Sequence, residues 1–547
     1  MTAPYAVHFS TRQTPQCQPI PGSVQVPNSA GGYAFAVDDW TRLDRFLVLG
    51  SEGGSYYADE QKLTIENARA VQRCLAADGT RAVRRIVEIS ESGRAPKNDS
   101  AVFVLAIAAG ASDPATQAAA LAALPRVCRI GTHLFQFVQY VRAFRGWGRA
   151  LRRAIGAWYT GHGPRELAYQ LCKYQQRGGW SHRDLLRLAH LRIGRGLPTE
   201  RALAWAAGKL DGTALPASAD DPLEPIHAFE RVKRATTVAE VARLIREYGV
   251  VRECVPTRWL GEAEVWESLL ERMPLGAMVR NLGTMTRLGL LTPGSAALRS
   301  VTESLADPQR VRRARLHPVV VLLALRTYAA GRGERGRQVW SPAPQVIDAL
   351  DRAFYLAFGG IVPAGKRWLL GVDVSGSMGC AAGGTPLSCC EAATAMALVT
   401  VRVEPECTVC AFADGMRPLP INRHMRLGDA LRLTRDVNFG GTDCALPMFY
   451  ALERGLAVDA FVVLTDSETW AGHVHPVQAL RRYRERTGIG ACLIVVAMAS
   501  NGFSIADPND AGMMDVIGFD TAVPQLMSDF VRDTPGAGPP ADEPLIL

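Results

Sequence analysis

The chain has 547 residues, of which 48% are hydrophobic and 21% charged, and its formal net charge is +8. This length is too great for one hydrophobic core, and the composition excludes the disordered and fibrous classes. The first 27 residues are polar and rich in proline, and the longest candidate apolar run, residues 319–325, is too short to cross a bilayer. We therefore expect a soluble protein of two domains.

The charge is distributed unevenly along the chain. Residues 361–547 carry 14 basic and 21 acidic side chains, so residues 1–360 carry a net charge of +15. A domain with this excess attracts polyanions, of which nucleic acid is the obvious one in the cytoplasm. The alternative is a solubilising arginine surface, because only 6 of the 61 basic residues are lysines.

The twelve cysteines follow no repeating spacing, and no export signal accompanies them. This pattern is typical of free thiols in a reducing compartment, so we expect a cytoplasmic protein.

The first part of the chain is predicted to be helical. Residues 1–35 contain five prolines and predict an extended N-terminal arm rather than a packed element. Residues 36–362 contain short segments rich in Ala, Leu and Arg that are separated by Gly, Pro or Asp, which predicts paired helices stacked as in an α-solenoid. The clearest predicted helices cover residues 62–77, 80–92, 116–123, 147–159 and 181–193.

Residues 363–532 show a different pattern. Short apolar runs at 368–372, 407–412, 459–464 and 491–498 alternate with helical stretches such as 391–401 and 477–486. This alternation predicts a doubly wound, mainly parallel sheet. Residues 533–547 contain four prolines and predict a disordered tail.

Oxygen-bearing side chains follow the predicted strands of this sheet. Parallel strands place their carboxyl ends along one edge, where ligands bind. Hydroxyl and carboxylate ligands favour Mg²⁺, with Mn²⁺ or Ca²⁺ as alternatives. The predicted metal ligands are Asp373, Ser375, Ser377, Thr442 and Asp466. In the alternative without an ion, the two serines cap the next helix and Asp466 lies in a turn. Glu468 is predicted to be a surface residue.

This ligand set resembles the metal-ion-dependent adhesion site (MIDAS) of von Willebrand A domains. More widely, the chain from about residue 35 to about residue 530 resembles the Ro autoantigen family, whose members carry a TROVE domain. The matching stretches are residues 46–57, 173–191, 273–286, 317–331, 365–378, 440–448 and 500–507. The resemblance implies a ring of HEAT-like helical repeats closed by a von Willebrand A domain. It also implies that the chain is a bacterial-type member of the family.

The resemblance also implies RNA binding: small Y RNAs on the outside of the ring and RNA ends in its central hole. Lys173, Arg177 and His190 correspond to the family's outer RNA contacts. Lys173 and Arg177 are four residues apart, which would place them on one helix face. Arg183 and Arg187, together with His190, would form a second polar row. The alternative for each residue is a solvated helix face.

A second basic cluster is predicted to be an auxiliary RNA-binding patch. Arg142, Arg145 and Arg149 lie near Trp147, Trp158 and Tyr159 in the sequence, and arginine beside aromatic rings can hold phosphates and stack on bases. The alternative is a helix that buries its aromatic side chains and exposes its arginines.

With the positive charge of the helical part, the resemblance implies a monomeric ribonucleoprotein component that binds a Y-like RNA and captures single-stranded ends of misfolded RNA, as an adaptor in RNA quality control or degradation. The resemblance implies an exoribonuclease as a partner. The sequence contains neither a nucleotide-binding loop of the GxxxxGK type nor a Gly-x-Ser-x-Gly nucleophile motif with partners, so we do not expect an enzyme. The alternatives are a metal-dependent protein-binding adaptor and a magnesium-dependent nuclease, although hydrolytic sites usually have more carboxylates.

Overall fold

A computed structural model of the chain describes residues 13–51, 60–194, 196–212, 221–333, 338–382, 385–435, 440–518 and 520–534. Residues 1–12 of the predicted arm and 535–547 of the predicted tail lie outside this range. Within it, no helix is both long enough and apolar enough to cross a membrane.

The N-terminal part is mainly helical, as the sequence predicts, and it also contains two short hairpins that were not predicted. Prolines begin several helices, because the first helical position needs no backbone donor. The elements are β1 (Gln25–Pro27), β2 (Tyr33–Ala36), α1 (Asp39–Leu49), α2 (Glu60–Ser92), α3 (Asp99–Ala109), α4 (Pro114–Val127), α5 (Gly131–Phe144), α6 (Arg149–Thr160), α7 (Pro164–Lys173), β3 (Gln176–Arg177), β4 (Trp180–Ser181), α8 (His182–Ala189), α9 (Pro198–Ala206), α10 (Glu224–Arg234), α11 (Val238–Tyr248), α12 (Ala263–Leu270), α13 (Leu275–Arg287), α14 (Ala296–Ala306), α15 (Pro308–Ala314), α16 (Pro318–Ala329) and α17 (Pro344–Leu356). Most helices pack against the next helix in the chain or the one after it, and the result is a stacked array.

The C-terminal part is an α/β domain, which confirms the predicted change of fold. Its elements are β5 (Arg367–Asp373), α18 (Cys389–Val403), β6 (Glu406–Phe412), β7 (Met416–Pro418), α19 (Leu427–Arg435), α20 (Leu446–Glu453), β8 (Ala460–Thr465), α21 (Pro476–Thr487), β9 (Cys492–Ala497), β10 (Phe503–Ser504), β11 (Met513–Ile517) and α22 (Val523–Asp533). The sheet has the order β11-β9-β8-β5-β6-β7, and every neighbouring pair except β6–β7 is parallel.

Both faces of this sheet are covered. Leu369 of β5 belongs to the core on one face, whereas Leu370 and Val372 belong to the core that continues into the helical part. Because neighbouring side chains of a strand point to opposite faces, a continuous apolar run is what a sheet buried on both sides requires.

The N-terminal segment differs from the prediction of an unpacked arm. Strands β1 and β2 form an antiparallel sheet with β10 of the α/β domain. Gln16 is fully buried, and its amide donates to the carboxylate of Asp443 at 2.7 Å and to the carbonyl of Val474 at 2.8 Å. The prolines stiffen an extended backbone without preventing strand pairing, since Pro27 ends a strand at the edge of its sheet.

A buried arginine joins the helical part to the α/β domain. The guanidinium of Arg45, on α1, is fully buried and donates to both carboxylate oxygens of Asp515 on β11, at 2.7 and 2.6 Å. It also donates to the carbonyls of Asn501 and Phe503 at 3.1 and 2.8 Å. Further ion pairs across the junction are Arg94–Asp520 and Arg326–Glu391.

Replacing Arg45 with methionine should destabilise the protein. The change leaves the carboxylate of Asp515 without its cation at a mostly buried position, and breaking such a pair costs about 3–5 kcal/mol. We expect a clearly lower midpoint of urea unfolding, measured by circular dichroism. The matched control is Arg73→Met, which breaks the exposed pair with Asp39 and should cost at most about 1 kcal/mol. Equal midpoints for the two variants would contradict this assignment.

Candidate functional site

The predicted metal ligands lie at the carboxyl edge of the sheet. Asp373 is the last residue of β5, and Asp466 follows the last residue of the adjacent parallel strand β8. The hydroxyl of Thr465 donates to Oδ2 of Asp373 at 2.6 Å, which ties the two strand ends together. Sheet topology therefore brings together two carboxylates that are 93 positions apart in the chain.

The two serines lie in the loop after β5. The backbone N–H of Ser375 donates to Oδ1 of Asp373 at 2.9 Å, and the hydroxyl oxygens of Ser375 and Ser377 are 3.2 Å apart. Ser375 precedes a 3-10 turn at Gly376–Gly379 but makes no side-chain capping bond to it. The capping alternative therefore does not describe these serines.

Thr442 completes the set from a third loop. Its carbonyl accepts hydrogen bonds from the backbone N–H groups of Trp470 and Ala471, both at 3.0 Å, so this loop is held against the loop that carries Asp466. All five predicted ligand residues are buried, with at most 2% of their surface exposed.

The electrostatics of these side chains suit a bound cation. Burial, and then the neighbouring charge of Asp466, raise the pKa of Asp373 to about 7. Burial also raises the pKa of Asp466, although hydrogen bonding from Ser377 opposes it. Oδ2 of Asp466 is buried and has no hydrogen-bond partner among the described residues. Two buried carboxylates, one with a free oxygen, together with three hydroxyls match the donors of a hard divalent cation.

Glu468 is buried rather than on the surface, so that prediction was wrong. Its carboxylate is the acceptor for the backbone N–H groups of Ser29 and Ala30, at 2.8 and 3.2 Å. In the same region Gly32 packs so closely on Thr469 that a Cβ would lie 1.9 Å from the carbonyl oxygen of that threonine. The N-terminal segment therefore covers the loop that carries Asp466.

The predicted helix face that would join Lys173 to Arg177 is not formed. Helix α7 ends at Lys173, and Arg177 lies in the β3–β4 hairpin that follows. Gly178 and Gly179 make the turn of this hairpin with φ values of +56° and +79°. Such φ values favour glycine, so the two adjacent glycines were the sequence signal for a hairpin. The spacing of four residues between Lys173 and Arg177 had instead suggested a helix.

The second polar row is exposed as expected. Arg183 and Arg187 are exposed on α8, and His190 is exposed immediately after the helix, in a left-handed conformation with φ +51°. The predicted helix therefore ends earlier than residue 193. His182 begins α8 and is buried, with its Nδ1 2.8 Å from the hydroxyl of Tyr159. It therefore belongs to the start of the helix rather than to the exposed basic row.

The hairpin connects the two predicted basic clusters. Arg142, exposed at the end of α5, lies 5.4 Å from the centre of the Trp180 ring on β4. Trp180 is 6.3 Å from Trp147, and both rings are half-buried. Arg149 is exposed at the start of α6, whereas Arg145 is half-buried and donates to the carbonyl of Ala109 at 2.7 Å.

Two of the three aromatic residues expected beside these arginines are in the core. Trp158 and Tyr159 are fully buried, and the indole N–H of Trp158 donates to the carbonyl of Cys128 at 2.5 Å. The accessible ring that sequence spacing missed is Trp180, which the hairpin brings beside Arg142.

The fold and site define a protein in which a helical TROVE domain is joined to a von Willebrand A domain. The TROVE domain family matches residues 26–209 and 242–327, and the Ro60 vWA domain family matches residues 367–531. The chain belongs to the Ro family and is of the bacterial type.

Two relatives and one solved structure support this assignment. The chain is 43% identical to the RNA-binding protein RO60 of Deinococcus radiodurans, over 93% of this chain and 95% of that one. It is 37% identical to the RNA-binding protein RO60 of Caenorhabditis elegans, over 93% and 90%. The crystal structure of the Deinococcus radiodurans RO (RSR) protein has a TM-score of 0.68 at 42% identity and covers 90% of this chain and 99% of that one.

Proposed function

We propose that this chain binds structured RNA on the surface formed by α5, the β3–β4 hairpin and α8. The start of α6 and the end of α7 also contribute to this basic surface, which consists of Arg142, Arg145, Arg149, Lys173, Arg177, Arg183, Arg187 and His190. The observation that carries the proposal is that, among the described residues, none of its arginines is in an ion pair. Arginines elsewhere on the helical part, such as Arg126 and Arg243, are paired with glutamates.

Unpaired cations beside accessible indole rings suit a phosphate backbone. A guanidinium group can donate two parallel hydrogen bonds to one phosphate. The rings of Trp180 and Trp147 lie near Arg142, where a base could stack on them. Two relatives are named as RNA-binding proteins, which supports RNA as the polyanion.

The RNA that we propose is a small noncoding Y-like RNA, and single-stranded ends of misfolded RNA are a second ligand. The protein then acts in the cytoplasm as a monomeric adaptor in RNA quality control or RNA degradation, with an exoribonuclease as its partner. The net charge of +15 in residues 1–360 supports capture of RNA by the helical part rather than by the acidic α/β domain.

We also propose that the α/β domain holds one Mg²⁺ through Asp373, Ser375, Ser377, Thr442 and Asp466, with Mn²⁺ or Ca²⁺ as alternatives. When bound, the ion supplies positive charge that neutralises two buried carboxylates. Because all five ligands are buried, bracing the three loops is a better supported role than gripping an acidic protein partner. Two carboxylates are also fewer than hydrolytic centres usually have, which disfavours the nuclease alternative.

Replacing Lys173, Arg177 and His190 together should weaken RNA binding. We expect Lys173→Ala, Arg177→Ala, His190→Ala to lower the affinity for an RNA hairpin at least about tenfold, because lost phosphate contacts are not replaced. The salt dependence should become shallower by about one unit per removed cation in a filter-binding series.

The control for this variant is Arg126→Ala, Arg243→Ala, which removes two exposed, paired arginines of the helical part. It should bind the hairpin as the wild type does. If the two variants lost the same amount of affinity for the hairpin, the loss would reflect the total charge of the protein rather than a particular surface. That result would contradict the proposed surface.

Magnesium should stabilise the wild-type protein, because an ion that binds only the folded state raises the free energy of unfolding. Asp373→Asn removes a carboxylate from the site and should abolish the rise of the thermal midpoint with Mg²⁺ concentration. Without metal the variant should be at least as stable as the wild type, since one of two repelling buried charges is gone.

Glu406→Gln, an exposed carboxylate at the start of β6, is the control and should keep the response to Mg²⁺. A response that survives in Asp373→Asn would contradict the site. RNA degraded by the wild type with Mg²⁺, but not by Asp373→Asn, would favour the nuclease alternative instead.

A further inference from the structure

Two cysteine side chains face each other between α18 and the loop that carries Ser375 and Ser377, here called the serine loop. Cys389 is the first residue of α18, and Cys380 directly follows the 3-10 turn at Gly376–Gly379. Their sulfur atoms are 3.6 Å apart, and neither belongs to a disulfide. Two thiols at this separation need only a small movement to reach the bond length of a disulfide, about 2.05 Å.

The backbone beside the two sulfur atoms is a short antiparallel ladder. The N–H of Cys389 donates to the carbonyl of Cys380 at 2.9 Å, and the N–H of Ala382 donates to the carbonyl of Leu387 at 2.8 Å. One antiparallel bridge lies between these two hydrogen bonds, so the cysteines are directly opposite each other. Hydrogen-bonded partners in such a ladder have Cα atoms about 5.5 Å apart, which is also the usual Cα separation across a disulfide. A bond between the sulfur atoms therefore fits the existing backbone.

The two thiols differ in their access to solvent. Cys380 is half-buried, whereas Cys389 is buried. The hydrogen bond with Cys380, together with burial, raises the pKa of the Cys389 thiol. A dissolved oxidant therefore meets Cys380 first, and Cys389 is the neighbouring thiol that can react with the oxidised sulfur.

Both cysteines are also attached to the edge of the sheet where the predicted metal ligands lie. The N–H of Cys380 donates to the carbonyl of Ser377 at 3.2 Å, at the end of the serine loop. The thiol of Cys389 donates to the carbonyl of Met498, just after β9, at 3.4 Å. A covalent bond between the two cysteines would therefore join the serine loop to the first turn of α18.

We propose that Cys380 and Cys389 are a site of reversible oxidation by hydrogen peroxide, and that the resulting disulfide holds the serine loop against α18. In a reducing compartment both residues stay as thiols, and disulfides there are usually transient. The inference goes beyond the proposed function, because it requires neither RNA nor a bound cation.

The reaction has two steps. Hydrogen peroxide transfers an oxygen atom to the sulfur of Cys380, which becomes a sulfenic acid, and one water is released. The sulfur of Cys389 then bonds to the sulfur of Cys380, the S–O bond breaks, and the hydroxyl leaves with the proton of Cys389 as a second water. The two thiols have lost two hydrogen atoms, and the peroxide has been reduced to water. A small thiol such as dithiothreitol reverses the change by thiol–disulfide exchange.

The test treats the full-length protein with hydrogen peroxide and then alkylates it with iodoacetamide under denaturing conditions. Trypsin releases residues 368–402 as one peptide, which contains Cys380, Cys389 and Cys390. We expect mass spectrometry to find a single alkyl group on this peptide, at Cys390, with the other two cysteines joined. Dithiothreitol added before alkylation should restore alkylation of all three cysteines.

Cys390→Ser is the matched control, because it removes the adjacent thiol and should leave the disulfide unchanged. Cys380→Ser should abolish the disulfide, and because Cys380 is only half-buried we expect this variant to fold as the wild type does. Full alkylation of the wild-type peptide after peroxide treatment would overturn the proposal. A bond that joined Cys389 to Cys390 would overturn it as well.

Hydrogen–deuterium exchange tests the effect on the serine loop. In the oxidised wild type, residues 374–382 and the first turn of α18 should exchange more slowly than in the reduced protein. Peroxide should cause no such slowing in Cys380→Ser. A disulfide that formed without slower exchange in this segment would contradict the proposed attachment of the loop.

Discussion

The burial of one charged side chain, Arg45, constrains how the two halves of the molecule meet. A guanidinium removed from water is tolerated only where acceptors surround it, and here the acceptors are a carboxylate on β11 and two carbonyls beside β10. These partners fix α1 against the α/β domain. The pairing of β2 with β10 holds the N-terminal segment in the same place, where it covers Glu468 and the loop after β8.

With the junction fixed, the two halves have opposite electrostatic characters. The helical part carries the positive charge, including unpaired arginines around the β3–β4 hairpin, whereas the α/β domain is acidic and buries two carboxylates at the edge of its sheet. An anionic polymer is attracted to the first and repelled by the second, and a small cation suits the buried carboxylates. Because of this difference in charge, we expect RNA to bind the helical part and the cation to bind the α/β domain, so that the two ligands do not touch.

Local sequence patterns predicted the elements better than the contacts between them. The buried runs of β5 and β8 predicted parallel strands, and their carboxyl ends do bring Asp373 and Asp466 together. The position of Glu468 was not predictable, because its partners lie near residue 29. Helical spacing failed at Arg177, where two glycines turn the chain into a hairpin. Burial of Trp158 depends on packing between neighbouring helices, including its hydrogen bond to the residue after α4, which periodicity alone does not specify.

We propose that the basic surface of the helical part, rather than the α/β domain, binds structured RNA. Hydrogen–deuterium exchange of the full-length protein, measured with and without a structured RNA hairpin, tests it most directly. We expect slower exchange in the β3–β4 hairpin and in α8 when RNA is present, with α21 of the acidic domain unchanged. Protection confined to the α/β domain, with exchange at residues 173–190 unaffected, would contradict it.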